Sequence, residues 1–385
     1  MKLGIPSAIG HGETRVALVP DVLAKLKKLN IDVVVERGAG SAAGFPDSTF
    51  ESAGATLVDG VAAVCEQSNL IVSIRPPTPD LLDPMRSDTV LIAMCNPLVR
   101  HDLVKDLASR GLTAFALELM PRITRAQAMD VLSSMSSLAG YKAVLLAANE
   151  LVRIFPMMMT AAGTITPAKV LVLGAGVAGL QAIATAKRLG AVVEAFDVRP
   201  VVKEQVESLG AKFVVVDAPQ EDAQDKGGYA KEMSAAYQQR QREVIAQHVK
   251  DNDVVISTAL IPGKPAPRLI TADMVPHMRP GSVIVDLAAE AGGNCELTCP
   301  GETVVKHDVT ILAPTNLAAT VPFHASQMFA RNVTSFLTDI VKNGEIVMNM
   351  DNECIRDTLI TREGQVVSPR LREIMGLGAP ALQPA

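Results

Sequence analysis

The chain has 385 residues, of which 48% are hydrophobic, 20% charged and 3% aromatic, and its formal net charge is -5. This length exceeds what one ordinary core accommodates, so two domains are expected. The acidic balance argues against a basic surface that follows phosphates, and therefore against nucleic acid as a partner.

Strand-like and helical stretches alternate from residue 1 to about 117. Runs rich in β-branched residues, such as DVVVE (32–36) and TVLIAM (89–94), are separated by amphipathic runs such as PDVLAKLKKL (20–29). This rhythm predicts a parallel α/β sheet. From Thr124 to about Ile154 the apolar residues recur mostly at helical spacing, which predicts a first long helix.

The polar stretch ELMPRITRAQAMDVLSSM (118–135) contains the start of that helix and has two interpretations. Pro121 and Thr124 are typical helix-start residues, and Gln127 stands three positions after Thr124 as in a capping box. That interpretation leaves Arg122, Arg125 and Asp130 as surface charges. The alternative is that the stretch positions a cofactor for a reaction. Residue chemistry alone leaves both open.

A second α/β set follows in KVLVLGAG (169–176), AVVEAFD (191–197), DVVIST (253–258) and SVIVDLA (282–288). A second long helical stretch runs from about Ala319 to Lys342, and the short strand-like pieces EIVMNM, DTLITR and QVVS come after it. The chain is therefore expected to cross between two domains twice, once at each long helix. We predict a discontinuous first domain, 1–133 with 321–385, and a second domain, 134–320.

The second set carries a dinucleotide fingerprint, because Gly174, Gly176 and Gly179 form G-x-G-x-x-G between an apolar strand and an Ala-rich helix. The first glycine permits a tight turn, the second lets the backbone approach a pyrophosphate, and the third allows close helix-to-strand packing. The helix amino end then faces the anion. The predicted fold is α/β, with two Rossmann-like parallel-sheet domains joined by two long helices.

Asp197 ends the strand after the fingerprint, where a carboxylate hydrogen-bonds an adenosine ribose and repels a 2′-phosphate. We therefore predict NAD(H) as the cofactor, in preference to NADP(H). Arg199 nearby has the chemistry of a phosphate receptor, but a solvated helix-start residue is an equally simple interpretation. Leu260 follows the strand 253–258 at the edge of the sheet where ligands lie, so it is expected to border the cofactor.

Other residues give negative expectations. Apolar runs such as 90–95 are much shorter than the ~20 residues of a spanning helix, and the amino terminus has no signal-peptide pattern. The five cysteines, including those of CELTC, and the six scattered histidines lack disulfide or ligand spacing, so no metal is predicted. No histidine presents itself as a general acid or base. Transfer of a hydride between two nicotinamide rings needs none, since it requires positioning alone.

Several motifs together resemble the NAD(H)-binding subunit of proton-translocating transhydrogenases: ELMPRITRAQAMDVLSS, FPMMMTAAGT, GAGVAGLQAIATAKRLGAVVEAFDVR, GGYAKEM and VDLAAEAGGNC. The likeness extends from Met1 to about residue 370. It implies hydride transfer between NADH and NADP⁺, the latter held on a separate NADP(H)-binding beta subunit, coupled to proton passage through a membrane-spanning subunit. It also implies a homodimer, peripheral on the cytoplasmic face of a bacterial inner membrane. Met135 departs from a glutamine of some relatives.

The resemblance also implies site residues. Arg122, Gln127 and Asp130 are expected to act in hydride transfer. Composition alone favours a flexible connection for the loop 216–231, whereas the resemblance implies that this loop is a mobile lid containing Tyr229. The full set of cofactor contacts that the resemblance and the fingerprint predict is Arg122, Ile123, Thr124, Gln127, Ala128, Met129, Asp130, Ser133, Tyr141, Gly174, Gly176, Val177, Gly179, Asp197, Val198, Arg199, Gly228, Tyr229, Gln241 and Leu260.

Two other functions are kept as alternatives. Alanine dehydrogenases share the expected fold, and Arg15 and Arg75 stand where that family binds the substrate carboxylate. The family's catalytic histidine should fall within LIAMCNP, where this chain has Met94, Cys95 and Asn96, and its catalytic aspartate matches Glu290. Without the histidine a keto acid has no proton donor, which disfavours this alternative. The second alternative is a catalytically silent NAD-sensing module.

Overall fold

The computed structural model describes residues 1–7, 12–216 and 234–378. Gly228 and Tyr229, predicted as a cofactor contact and a lid residue, lie outside these ranges. The described chain forms two compact units, one of residues 1–135 with 319–385 and one of residues 136–318. The domains predicted from the sequence, 1–133 with 321–385 and 134–320, have boundaries two residues away from these.

The helices and strands follow one another along the chain in an alternating order. The α-helices are α1 Pro20–Lys28, α2 Asp47–Ser52, α3 Val61–Gln67, α4 Pro79–Leu82, α5 His101–Ser109, α6 Val131–Glu150, α7 Val177–Arg188, α8 Lys203–Ser208, α9 Ala235–Asp251, α10 Pro322–Ile340, α11 Glu353–Thr358 and α12 Pro369–Ile374. The strands are β1 Lys2–Ile5, β2 Asp32–Glu36, β3 Thr56–Val58, β4 Leu70–Val72, β5 Val90–Ala93, β6 Thr113–Ala116, β7 Met158–Thr160, β8 Gly163–Ile165, β9 Lys169–Leu173, β10 Val192–Phe196, β11 Lys212–Phe213, β12 Val254–Ser257, β13 Val283–Asp286, β14 Thr303–Lys306, β15 Val309–Leu312, β16 Val341–Lys342, β17 Glu345–Ile346, β18 Leu359–Arg362 and β19 Gln365–Val366.

The first unit is built on an eight-stranded sheet of order β19-β18-β6-β5-β4-β1-β2-β3. Strands β1 to β6 are parallel, in the order 3-2-1-4-5-6 of a doubly wound fold, and β18 joins β6 antiparallel. The strands are apolar on both faces because helices cover the sheet, as in the cluster that contains Leu91, Leu107 and Ile360. The predicted strand EIVMNM is shorter, since only Glu345–Ile346 pairs, with β16.

The second unit is built on a seven-stranded sheet of order β11-β10-β9-β12-β13-β15-β14. The first six strands in this order are parallel, and β14 is antiparallel to β15. Counted along the chain within this unit, from β9 as the first, the parallel strands again have the order 3-2-1-4-5-6. The order reverses between β9 and β12, whose register pairs Val172 with Ile256. Ligands of such sheets lie outside the carboxyl ends of the strands at this reversal. The predicted fold class, two Rossmann-like α/β domains, is confirmed.

The two predicted long helices are present with shorter limits. The first does not begin at Thr124: residues Thr124–Met129 form a 3-10 helix, and α6 starts only at Val131. Asp130 separates the two because its backbone is extended, with φ -76° and ψ 94°. Helix α6 continues from the first unit into the second, and the second long helix is α10, Pro322–Ile340.

Among the described helices, α6 alone is long and apolar enough to cross a membrane by length and composition, a test that core helices of soluble proteins also pass. Its residues Ala143, Val144 and Ala147 are fully buried in the apolar cluster beneath β9 and α7. The apolar sequence of α6 is thus accounted for, in that half of the helix, by packing in the second unit.

Candidate functional site

The glycine turn of the second unit has the three features that its sequence predicts. Gly174 follows β9 with φ 95°, a conformation that glycine adopts readily, and its N–H donates to the Phe196 carbonyl at 2.8 Å. A Cβ atom on Gly179 would lie 1.8 Å from the Gly174 carbonyl oxygen. A Cβ atom on Gly176 would meet nothing within 4 Å. Gly179 is therefore required by packing, whereas at Gly176 the protein leaves open space beside the amino end of α7.

Asp197 lies at the carboxyl end of β10, next to this turn, and is 8% exposed. Its Oδ2 accepts the Ala175 N–H at 2.8 Å, so the carboxylate holds the glycine turn. The backbone N–H and Nε of Arg199 both donate to Oδ1 at 2.9 Å, and Nη2 donates to Oδ2 at 2.8 Å. The side chain of Arg199 is only 13% exposed. Arg199 does stand at a helix start, as the N-cap of the 3-10 helix Pro200–Val202, but the interpretation of it as solvated is wrong.

These four donors fill the acceptor positions that a carboxylate offers. A ribose hydroxyl that hydrogen-bonds to Asp197 must consequently displace one donor, and the guanidinium of Arg199 is the side chain that can turn away. The same pairing draws the cation of Arg199 toward Asp197.

The loop after β12 is fixed by a residue that the sequence reasoning did not select. Asn294 is buried, accepts the Ala259 N–H at 3.0 Å, and donates to the carbonyls of Ala259 at 2.9 Å and Pro267 at 2.8 Å. Below it, the fully buried Asp286 accepts from the Cys295 N–H at 3.0 Å. These bonds hold the backbone beside Leu260, which remains 47% exposed. The signal available in the sequence was the polar pattern of VDLAAEAGGNC immediately after a buried strand.

The remaining predicted contacts of the second unit differ in accessibility. Val177 opens α7 and is 36% exposed, and Tyr141 on α6 is 39% exposed. Val198 is partly buried. Gln241, by contrast, is 7% exposed on the inner side of α9. A cofactor contact by Gln241 thus remains a prediction about a side chain that packs inside the unit.

The predicted reaction segment, residues 122–130, belongs to the first unit. Arg122, Thr124, Gln127 and Ala128 are exposed, while Ile123 is partly buried and Met129 is buried. The 3-10 helix has Ile123 at its N-cap and no side-chain cap bond. The capping-box interpretation of Thr124 and Gln127 is therefore wrong. The Gln127 side chain makes no hydrogen bond within the described ranges, so its amide is available to a ligand.

Asp130 is the residue that caps the long helix. Its Oδ1 accepts the Ser133 N–H at 2.9 Å and its Oδ2 accepts the Ser133 hydroxyl at 2.5 Å. This is the N-cap bond that a helix beginning at Val131 needs. Asp130 and Ser133, both predicted as cofactor contacts, are thus hydrogen-bonded to each other at the start of the helix.

The positions that would bind a keto acid in an alanine dehydrogenase are differently occupied. Arg15 is 2% exposed, and its Nε and Nη2 donate to the two carboxylate oxygens of Glu13 at 2.7 and 2.6 Å. Its Nη1 also donates to the Met135 sulfur at 3.1 Å. The bidentate face of the guanidinium, which would receive a substrate carboxylate, is therefore filled by Glu13.

Glu118 is a titratable group near Asn96 in the same unit. Its Oε1 accepts the Asn96 N–H, while its buried Oε2 has no hydrogen-bond partner among the described residues. Burial raises the pKa of this carboxyl group to about 7, against the lowering effect of backbone N–H groups, including those of Asn96 and Cys95. Within the described ranges no group of three or more His, Cys, Asp or Glu residues could hold a metal ion.

Two family models match the chain. The model described as alanine dehydrogenase/PNT, N-terminal domain, matches residues 4–139, and the model described as alanine dehydrogenase/PNT, C-terminal domain, matches residues 143–369.

Transhydrogenase subunits are more similar to this chain than an alanine dehydrogenase is. The first part of NAD(P) transhydrogenase subunit alpha of Rhodospirillum rubrum is 49% identical over 379 residues, covering 96% of this chain and 99% of that protein. The crystal structure of a transhydrogenase from Sinorhizobium meliloti is similar with a TM-score of 0.84 at 44% identity, covering 96% of this chain and 100% of that one. Alanine dehydrogenase of Mycobacterium tuberculosis is more distant, at 28% identity over 392 residues, covering 100% of this chain and 99% of that protein.

Proposed function

The chain belongs to the alanine dehydrogenase/PNT family, and from this we propose that it is the NAD(H)-binding component of a proton-translocating transhydrogenase. It would transfer a hydride between NADH and NADP⁺ bound on a partner subunit, and the transfer would be coupled to proton translocation across a membrane. The identity of 49% to a transhydrogenase subunit, against 28% to an alanine dehydrogenase, supports this choice.

One observation within the molecule favours transhydrogenase over alanine dehydrogenase: the Arg15 guanidinium is already paired with Glu13. Taking up a keto-acid carboxylate would require breaking a buried, bidentate ion pair, and removing one partner of such a pair is costly. The stretch LIAMCNP also contains no histidine that could donate a proton to a keto acid. The measurement that separates the two is oxidation of L-alanine with NAD⁺, which we expect to be absent.

The second unit has the residues that would hold NAD(H). Gly176 leaves space for the pyrophosphate at the amino end of α7, where free backbone N–H groups favour an anion. Asp197 and Val198 would meet the adenosine ribose, and Leu260 would border the cofactor on the β12 side. A buried carboxylate at Asp197 would disfavour a 2′-phosphate, which supports NAD(H) as the bound form.

The segment 122–130 would align the reacting ring. A bound NADH supplies the hydride, and no side chain has to accept a proton from the reacting carbons. Arg122 and Asp130 would fix the NAD(H) end, and the unbonded Gln127 amide would extend toward the nucleotide of the partner. Holding two reactants in a near-attack geometry is worth a large part of a reaction barrier.

We also propose the assembly. The hairpin β7–β8 carries apolar side chains that are largely exposed, namely Met158, Met159 and Ile165, with Met157 just before it. Exposed apolar patches of this kind mark protein interfaces, and a second copy of the chain is the occupant that fits a homodimer. The NADP(H)-binding beta subunit and a membrane-spanning subunit would complete the complex. The chain would thus be peripheral on the cytoplasmic face of a bacterial inner membrane, with residues 1–133 plus 321–385 and residues 134–320 as its two folding domains.

The experiment that tests the proposed function is Gln127→Asn, measured with an NADP(H)-binding partner present. Shortening the side chain by one methylene group should slow hydride transfer by roughly a hundredfold, because small displacements of reacting groups are costly. NADH affinity and the melting temperature should change little, because the Gln127 side chain makes no hydrogen bond within the described chain, and its backbone carbonyl, which accepts the Asp130 N–H, is unchanged by the substitution. Normal transfer by Gln127→Asn would remove the proposed role of the segment. A protein that binds NADH but transfers to no partner would instead be the NAD-sensing module.

A further inference from the structure

The segment that carries Gln127 is only weakly stabilised by the hydrogen bonds within it. Residues Thr124–Met129 form a 3-10 helix, whose bond geometry is weaker than that of an α-helix, and no side chain caps it. Its exposed residues include those proposed to reach the reacting rings. Two side chains that are not among the predicted site residues fix its backbone. Asn332 bonds to the backbone one residue after Gln127, and Arg125, two residues before Gln127, bonds to side chains outside the segment; each such attachment is called a fastening below.

The first fastening is Asn332 of α10, which is 6% exposed. Its Nδ2 donates to the Ala128 carbonyl at 2.9 Å, one residue after Gln127. Its Oδ1 is buried and has no hydrogen-bond partner among the described residues. A buried amide oxygen without a partner opposes stability. Folding alone would therefore favour an apolar side chain of similar shape at this position, such as leucine.

The second fastening is Arg125, two residues before Gln127. Its Nη2 donates to Asn352 Oδ1 and lies 3.6 Å from Asp339 Oδ2. Asn352 is itself fixed, because its Oδ1 accepts the Cys354 N–H at 2.9 Å and its Nδ2 donates to Asp339 at 2.7 Å. Arg125 is 50% exposed, so an isolated ion pair there would contribute little to stability. What the network does provide is a fixed direction for the arginine.

We propose that Arg125 and Asn332 are positioning residues, which hold the backbone of residues 125–128 in place so that the Gln127 amide is aimed in one direction. Neither touches a nucleotide: Asn332 is buried behind the segment, and Arg125 points to α10 and α11. This inference rests on the proposed function of Gln127 and identifies the side chains on which that function depends.

The decisive variant is Asn332→Leu, made in the full chain and assayed with the NADP(H)-binding partner. It removes the bond to Ala128 and the unpartnered oxygen together. We expect the melting temperature to stay level or rise and NADH affinity to stay within about twofold, while hydride transfer falls roughly tenfold through kcat. A purely structural role predicts the reverse pattern, in which the protein is destabilised and transfer falls only with the folded fraction.

The matched control is Thr334→Val, two positions along α10. Thr334 is also buried, but its hydroxyl donates to Ala330 within its own helix, so the segment should not respond. Transfer by Thr334→Val should match the parent. A loss equal to that of Asn332→Leu would overturn the inference, because any disturbance of α10 would then suffice.

A second pair of variants tests the other fastening. Arg125→Gln should also slow transfer roughly tenfold, and it should raise the hydrogen-exchange rate of the amides around Ala128. The control is Arg110→Gln, which removes an arginine that bonds Asp83 and Asp106 elsewhere in the same unit and should leave both readouts unchanged. Unchanged exchange and unchanged transfer in Arg125→Gln would overturn its role, even if Asn332→Leu did not fold.

Failure of this inference is distinguishable from failure of the proposed function. If Gln127→Asn slows transfer while Asn332→Leu and Arg125→Gln transfer at the parent rate, only the positioning role is wrong. If Gln127→Asn itself transfers normally, the segment has no role in the reaction, and the positioning inference falls with it.

Discussion

Replacing Gly176 by alanine tests whether the open space beside this residue is needed for folding or for binding a ligand. The backbone at Gly176, with φ -77° and ψ -168°, is open to alanine, and the added Cβ would meet no atom within 4 Å. Alanine is a poorer N-cap than glycine by about 0.5 kcal/mol, but it also restricts the unfolded chain, which returns about 0.4–1 kcal/mol. The free energy of unfolding should therefore change by less than about 0.5 kcal/mol.

The effect on NADH binding should be much larger. The methyl group would enter the space beside the amino end of α7 that we assign to the pyrophosphate. Forcing a methyl group into an occupied space typically costs about 1–3 kcal/mol. That range corresponds to a dissociation constant raised about 5- to 150-fold. The assay is titration of NADH by its own fluorescence, with urea unfolding of the free protein alongside.

Gly179→Ala is the structural contrast. Its Cβ would lie 1.8 Å from the Gly174 carbonyl oxygen, so this variant should lose both stability and binding. If Gly176→Ala bound NADH as tightly as the parent, the assignment of the open space to the pyrophosphate would be refuted. If Gly176→Ala were destabilised as much as Gly179→Ala, the conclusion that the space beside Gly176 is unoccupied in the free protein would be wrong.

Three further predictions follow from particular contacts. A Cβ on Gly140 would lie 2.1 Å from the Ala178 carbonyl oxygen, so Gly140→Ala should displace the first turn of α7 and destabilise the protein by about 1–3 kcal/mol, measured by urea unfolding; unchanged stability would contradict this packing. Asp197→Asn should weaken NADH binding at least about tenfold and narrow the gap to NADPH in parallel titrations, because it loses charge-assisted hydrogen bonds; an unchanged ratio of the two affinities would remove Asp197 as the selecting residue. Burial raises the pKa of Glu118 to about 7, so the folded protein keeps a proton that the unfolded chain loses near pH 4.5, and stability falls by up to about 3 kcal/mol as pH rises through that window. Glu118→Gln should abolish this fall, so it should be more stable than the parent at pH 8 and nearly equal to it at pH 4.5; the same pH dependence in both proteins would contradict the buried acid.

The fold was predictable from the sequence where local patterns decide the structure. Strand, glycine turn and Ala-rich helix occur in succession, so the sequence alone assigns Gly174, Gly176 and Gly179 to distinct roles. Both sheets contain the strand order 3-2-1-4-5-6 of a doubly wound fold, the class that alternating strands and helices favour. The edges were less predictable, because β14, β18 and β19 are antiparallel and short strands give no sign of direction.

The candidate site was less predictable, because bonds between residues distant in sequence decide it. Thr124 and Gln127 have capping-box spacing, yet Asp130 caps the helix instead, since its carboxylate reaches the Ser133 N–H. The pairing of Asp197 with Arg199 depends on a bend after β10 that spacing does not reveal. Asn332 lies 204 residues from Ala128, its hydrogen-bond partner, and no local pattern marks such a contact.

The central claim is tested most directly by mixing the protein with an NADP(H)-binding partner subunit and following the two nicotinamides separately. With NADH and NADP⁺ present, we expect NADH to be consumed and NADPH to appear in equal amount, without any keto acid or alanine. Each protein alone should show no transfer. Tight NADH binding with no exchange in the mixture would contradict the account and leave a module that only senses NAD(H).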